Sequence, residues 1–280
     1  MYTCTPLVTI ASDVTSDKKK LSICLDAGGF SFSEIDADGQ LFTLAVAQGD
    51  TSLGMTQQMS AIKSLFQHVG IVPLGYGQME LIVPADRSVW VPDELFDVAM
   101  SRTYMARVGA TASSTDGGQP LALLTCHDDA TASTHLYEAD DTRVKAFKVA
   151  LPGLQVISQH AKMARMPMRQ MADKEGLMLL HFRANQVDYA AYRDGRYVFG
   201  TTTRRIADGD MLYRTIETKV LLFGKDAETK LMMCGDVGRD TYRCFAPYFS
   251  QTTLYRGNVV IADATRTVQT HRYALILSRP

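Results

Sequence analysis

A charge excess of either sign is what this sequence most plainly lacks. Its 29 Lys and Arg stand against 30 Asp and Glu, a formal net charge of −1. The basic residues are scattered, so electrostatics give no argument for nucleic acid or an anionic membrane surface as partner. No apolar run approaches the ~20 residues a membrane helix needs. No secretory apolar segment follows the N-terminus. The cysteines (Cys4, Cys24, Cys126, Cys234 and Cys244) are odd in number and make no C-x-x-C pair. These absences predict a reduced, cytoplasmic protein without a membrane span. Also absent are G-x-x-x-x-G-K-[ST], G-x-S-x-G and H-E-x-x-H, so P-loop, hydrolase-elbow and zincin chemistry have no support. His127-Asp128-Asp129 is the one compact cluster of ligand-type residues. Neighbours on an extended chain point to opposite faces, and no second cluster has ligand spacing, so it reads as a solvated loop and no metal site is expected.

What is present is an ordinary folded composition, 46% apolar and 21% charged over 280 residues. That length suits two domains of about 100–150 residues each. The chain also says nearly the same thing twice. Residues 21–47 and 177–203 each read as an apolar run, a polar bend, an alternating strand, an Asp-Gly turn and a third alternating strand. The turns are Asp38-Gly39 and Asp194-Gly195, 156 residues apart. Asp-Gly between alternating runs is a strong hairpin signal, because Gly accepts the positive φ of a tight turn.

The match continues beyond the third strand. In the first copy Met55, Met59, Ile62, Leu65, Phe66 and Val69 recur at helical spacing, with Gly70 placed to end the helix. A strand over Met79–Val83 follows, then an extended Ser88–Val91 and a helix from about Asp93. Residues 109–120 are small and polar and read as a loop. Strands at Leu121–Cys126 and Ala132–Glu138, a basic helix over 141–150 and a strand near Leu154–Ser158 come next. A Met-rich helix over 159–172 is expected to kink at Pro167. In the second copy Asp208 is expected to cap a helix with Met211, Leu212, Ile216, Val220 and Phe223 inside and Gly224 at its end. Lys230–Cys234 reads as a strand and 239–249 as a helix. A strand at Asn258–Ala262 and an apolar Tyr273–Leu277 close the chain. Arg143, Lys145 and Lys148, with Arg165 and Arg169, make a basic face, read as solvated, with a docking surface for an acidic partner as the sharper alternative.

This duplicated β-β-β-α-β-α order resembles the actin/hexokinase/Hsp70-like ATPase superfamily. The nearer likeness is to bacterial members with reduced catalytic machinery, the pilus-assembly PilM-like group and an uncharacterised family of short actin-like proteins. The resemblance covers about residues 21–255. It implies an α/β fold with mixed sheets, as two ribonuclease H-like lobes around an ATP-binding cleft. An extended leader would span 1–20, a first lobe 21–172, and a second lobe with a C-terminal return segment 173–280.

The family's first phosphate loop joins the first two strands and carries Asp then Gly. Asp26-Ala27-Gly28-Gly29 fits it, and also fits a Gly-rich turn with a solvated Asp. The second phosphate loop should repeat Asp and Gly, but His181-Phe182-Arg183-Ala184-Asn185-Gln186 has neither. Arg183 cannot bind Mg²⁺. Gly235 and Gly238 fall where the family places its adenosine loop, and an ordinary strand-to-helix turn explains them equally. The resemblance therefore implies a non-hydrolysing binding or assembly module with no catalytic residue and no obligatory cofactor. Weak ATP binding would use Asp26, Gly28, Gly29, Gly235 and Gly238. A protein partner is expected, and a homodimer is compatible. The alternatives are an active ATPase or kinase that uses Asp26 with a second-lobe carboxylate such as Asp188 or Asp236, and a ligand-free structural subunit.

Overall fold

Residues 2–10, 14–72, 75–108, 115–116, 119–166, 176–261 and 268–279 are described by a computed structural model of the chain. The alternating pattern of the first copy becomes an antiparallel run. β1 (Thr3–Thr9), β2 (Lys19–Asp26), β3 (Gly29–Asp36) and β4 (Leu41–Gln48) pair in the order β1-β4-β3-β2. The extended leader therefore has a use: β1 is the edge strand against β4, with a register shift between Pro6 and Val8. Helix α1 (Met55–His68) buries Ile62, Leu65 and Phe66, while Met55 is exposed. The helix ends where Gly70 was expected to end it. Ile71 N–H bonds Phe66 O and Gly70 N–H bonds Gln67 O, the pair of bonds that closes a Schellman motif.

β5 (Gln78–Val83) runs parallel to β2. β6 (Ser88–Pro92) opens a separate four-stranded sheet, β6-β9-β8-β7, with β7 (Thr115–Asp116), β8 (Gln119–Asp128) and β9 (Ser133–Asp140). The helix expected from Asp93 is not continuous. Short 3-10 turns at Asp93–Leu95 and Val98–Met100 precede α2 (Ser101–Ala106). The Asp97 carboxylate accepts Ala99 N–H at 2.8 Å, a local side-chain bond that competes with helix propagation. Helix α3 (Asp141–Ala150) leads to β10 (Gln155–Ser158), parallel to β5, and then to α4 (Gln159–Arg165). Pro167, Met168 and Met171, most of the 109–120 loop, and Ala262 lie outside the described residues.

The second copy gives β11 (Leu177–Phe182), β12 (Gln186–Arg193) and β13 (Arg196–Arg204), then α5 (Asp208–Phe223), β14 (Lys230–Gly235), α6 (Arg239–Phe245) and β15 (Gln251–Leu254). Asp208 is the first residue of α5 and makes no cap; the N-cap is Ala207. Val220, expected inside, is 43% exposed. In place of a strand at Asn258–Ala262 there is a single bridge, Gln40 to Val260. The two Asp-Gly turns differ in kind. Asp194 (φ 50°) and Gly195 (φ 71°) are both left-handed, as a two-residue type I′ hairpin requires. At Asp38-Gly39 the loop is longer, and the Asp36 carboxylate accepts the N–H groups of Asp38 and Gln40.

The chain divides into two units. The first holds Met1–Asp128, Ala132–Gln159 and Asn258–Val268; the second holds Asp129–Thr131, His160–Gly257 and Gln269–Pro280. Setting β1 aside, the first unit's main sheet reads β4-β3-β2-β5-β10. The second unit's sheet reads β13-β12-β11-β14-β15, the same order of pairing. The first core is knit by edge-to-face rings, Phe30 on Phe147 at 5.0 Å and on Phe66 at 5.9 Å. Such pairs add roughly 0.5–1.5 kcal/mol each beyond their burial. The second core gathers Met178, Leu180, Phe182, Tyr189, Met211, Leu231, Met233 and Phe245. Among the described residues no helix is long and apolar enough to cross a membrane.

Candidate functional site

The turn between β2 and β3 contains Asp26, Gly28 and Gly29. Asp26 is exposed at the end of β2 and its Oδ1 accepts Gly28 N–H at 2.8 Å. Gly29 begins β3, buried, at φ 153°. A Cβ there would stand 2.0 Å from Ala47 O, so the close approach of β4 demands glycine. Gly28 has no such constraint: its Cβ would meet only Asp26 Oδ1, at 3.8 Å.

All four carbonyls of this turn are held. Arg143 Nη1 donates to Asp26 O at 2.7 Å, and Arg143 Nη2 donates to Gly29 O. Thr51 Oγ1 donates to Ala27 O at 3.1 Å, and Gly49 N–H to Gly28 O at 3.1 Å. Arg143 is 6% exposed and comes from the first turn of α3. Burial lowers its pKa, against the opposing pull of Tyr2, Asp140 and Asp26. Arg143 is therefore not part of a solvated basic face, as its charge and its neighbours Lys145 and Lys148 suggest, but a buried group. The helical spacing held the signal, since Arg143, Ala146, Phe147 and Ala150 share one stripe, all buried. Lys145 does face outward, paired with Asp141.

The turn between β11 and β12 sits at the same place in the second sheet. Asp26 pairs with Gly29 in the first hairpin; Arg183 N–H bonds Gln186 O in the second. One step inward, Leu25 pairs with Phe30 and Phe182 with Val187; the next step pairs Cys24 with Ser31 and His181 with Asp188. By register, Arg183-Ala184-Asn185-Gln186 therefore replaces Asp26-Ala27-Gly28-Gly29, and a guanidinium stands where the first turn has a carboxylate.

Asp188, offered by the sequence as a second carboxylate, is fully buried. Arg183 grips it through Nη2 to Oδ1 (2.9 Å) and Nε to Oδ2 (3.0 Å). His181 Nδ1 lies 3.0 Å from Oδ2, and Thr202 Oγ1 donates to Oδ1 at 2.7 Å. His160 Nε2 reaches the same Thr202 hydroxyl at 2.8 Å. Burial by itself would raise the Asp188 pKa. The His181 hydrogen bond and the Arg183 charge outweigh it and hold the carboxyl well below the usual range.

Gly235 and Gly238 bracket the turn after β14. Gly235 is buried at φ 82°, and a Cβ would stand 2.1 Å from Phe182 O. Backbone packing accounts for it, as Asp236 N–H bonds Phe182 O at 2.8 Å. Gly238 is exposed and is the N-cap of α6. The other candidate carboxylate, Asp236, meets Arg205 Nη1 at 3.2 Å and Arg272 Nη2 at 3.3 Å. Among the described residues no group of three or more His, Cys, Asp or Glu is placed to hold a metal ion.

A family model described as a protein of unknown function (DUF3822) matches residues 11–244. No curated protein matches the chain. Two of the solved structures it resembles show the likeness over most of both chains. One is a Bacteroides thetaiotaomicron VPI-5482 protein with actin-like ATPase fold and unknown function, at TM-score 0.68 and 16% identity over 85% of this chain and 91% of that one. The other is the PilM–PilN type IV pilus biogenesis complex, at TM-score 0.56 and 11% identity over 92% of this chain and 96% of that one. At such identities the likeness is one of fold: the chain has the actin-like ATPase fold.

Proposed function

This chain belongs to the DUF3822 family, and we propose that it is a binding or assembly module that keeps the actin-like fold without turning over ATP. The observation that carries this reading is the β11–β12 turn. Phosphoryl transfer relies on positioning and on Mg²⁺-centred charge stabilisation. Here Arg183 occupies the carboxylate's place, Asn185 and Gln186 occupy the glycines' places, and Asp188 is spent on Arg183, His181 and Thr202. Asp236 is likewise engaged by two arginines. The PilM–PilN likeness supports a protein partner as the kind of ligand such a module takes. On this reading the two sheets are a duplicated lobe, with bounds near 21–172 and 173–280, in a cytoplasmic protein that works with a partner or a second copy.

The reading predicts no steady phosphate release from ATP and Mg²⁺ above background. Turnover that Asp26→Ala abolishes would overturn it and install the alternative of an ATPase using Asp26. That alternative draws on one observation: Asp26 is exposed, and the carbonyls around it are all held by Arg143, Thr51 and Gly49.

A further inference from the structure

The turn after β14 has more positive charge around it than its one carboxylate balances. Asp236 is 55% exposed, with Arg205 on one oxygen and Arg272 on the other. Arg205 also donates to Arg183 O at 3.0 Å and lies over the Phe182 ring, so its guanidinium is held in place. The 3-10 turn Thr270–Tyr273 packs against β14 and brings His271 to the same spot. His271 is 8% exposed and hydrogen-bonds the Val237 backbone, and the charges of Arg272 and Arg256 are near enough to lower its pKa. Its Nε2 is buried with no hydrogen-bond partner. A buried ring nitrogen left unmatched beside guanidinium groups is a polar vacancy that a ligand oxygen would fill once the nitrogen carries a proton to donate.

We infer that this turn of the second unit is an anion site for a phosphoryl-bearing ligand, held by Arg205, Arg256 and Arg272, with His271 as the group that takes up a proton on binding. Guanidinium forks take carboxylate or phosphoryl oxygens in pairs, and Asp236 offers Arg205 and Arg272 only one oxygen each. Asp236 holds the arginines in position until the ligand arrives. In the unliganded turn, burial lowers the His271 pKa; Arg272 and Arg256 lower it further, against the Val237 bond and Asp236. The ring is then neutral near pH 7. A bound dianion reverses the balance, so Nε2 gains a proton and donates it to a ligand oxygen. Affinity therefore rises as pH falls from 8 to 6. This site does not depend on whether the chain turns over ATP, and it assigns an anion to the turn that the superfamily resemblance matches to an adenosine loop.

The probe is sulfate, a tetrahedral dianion that does not titrate between pH 6 and 8, so any proton taken up belongs to the protein. Calorimetric titration of the whole chain at low ionic strength, in buffers of different ionisation enthalpy, should give saturable binding about tenfold tighter at pH 6 than at pH 8, with net proton uptake. Arg256→Ala combined with Arg272→Ala should weaken binding by about tenfold or more, with the circular dichroism spectrum unchanged. His271→Gln should leave sulfate binding at pH 8 while removing the pH dependence and the proton uptake, which a purely structural histidine would not do. Competition then names the source. ATP displacing sulfate far better than inorganic phosphate does identifies a nucleotide phosphoryl group; parity identifies the free anion. Absent saturation, parent-like binding in the double variant, or proton uptake that survives His271→Gln would each overturn the site.

Discussion

Replacing Asp188 with Asn tests whether the second unit has committed its carboxylate to structure. The change keeps shape and removes charge. The parent Asp188 has no exposed surface, and Arg183, its bidentate partner, has a side chain 16% exposed. Removing one member of a buried ion pair costs about 3–5 kcal/mol, because the other charge is left without compensation. Arg183 retains some access to water, so the expected loss lies near the lower end, about 3 kcal/mol. That is a large share of the 5–15 kcal/mol typical of a folded domain. Urea denaturation followed by circular dichroism measures it. Arg183→Met should cost a similar amount, and the double variant should lose clearly less than the sum. The pH dependence has a definite sign. The folded-state pKa of Asp188 is depressed, so its stabilisation is complete above the unfolded value of about 3.9 and is lost as pH falls below that, toward the folded value. Acid titration of the parent should reveal this loss, and Asp188→Asn should remove that component. A cost under about 1 kcal/mol, or strict additivity in the double variant, would refute the pairing argument.

The glycines should separate by role. Gly235→Ala places a Cβ 2.1 Å from Phe182 O at positive φ, and should cost about 3 kcal/mol or more in thermal or chemical unfolding. Gly28→Ala meets only an ordinary contact and should stay within about 1 kcal/mol, so equal losses would contradict the packing account. Tyr2 is 6% exposed against Phe30, yet its buried hydroxyl has no hydrogen-bond partner. Tyr2→Phe should therefore be neutral or stabilising by up to about 1 kcal/mol, and a clear loss in melting temperature would mean that the hydroxyl is bonded after all.

The strands and long helices were legible because each is written in a period. The helical spacing of Ile62, Leu65 and Phe66 states which face is buried, and burial follows; the runs over 21–47 and 177–203 mark strands, but β11 and β12 are buried on both faces, polar Asp188 included. What resisted reading was decided by a neighbour distant in sequence or by a single local bond. β1 is a strand because β4 offers it an edge, which residues 1–20 do not announce. The stretch after Asp93 has helical composition, but the Asp97 carboxylate takes an amide that a helix would use. Arg143 lies on an apolar stripe, and its charge suggested solvent. Its burial makes sense only once the carbonyls of Asp26 and Gly29 are known to point at it from 117 and 114 residues away.

The two hairpin turns show how one backbone plan takes opposite charge. In the first sheet the carboxylate of Asp26 is outside and the guanidinium of Arg143 is buried beneath it, bonded to backbone oxygens. In the second sheet the guanidinium is at the turn and the carboxylate of Asp188 is beneath it. Each turn therefore has an ionised group as its foundation, and the sign of that group sets the sign left for the surface. A buried guanidinium bonded to carbonyls permits an acidic turn above it. A buried carboxylate demands a basic one, because an unpaired charge there would cost several kcal/mol. Placing Asp at position 183 alone would set two carboxylates against each other over Asp188, so a second acidic phosphate turn cannot be restored by that single substitution. It requires Asp188 to change with it, and that coupling ties the chemistry of the second turn to the interior of its sheet.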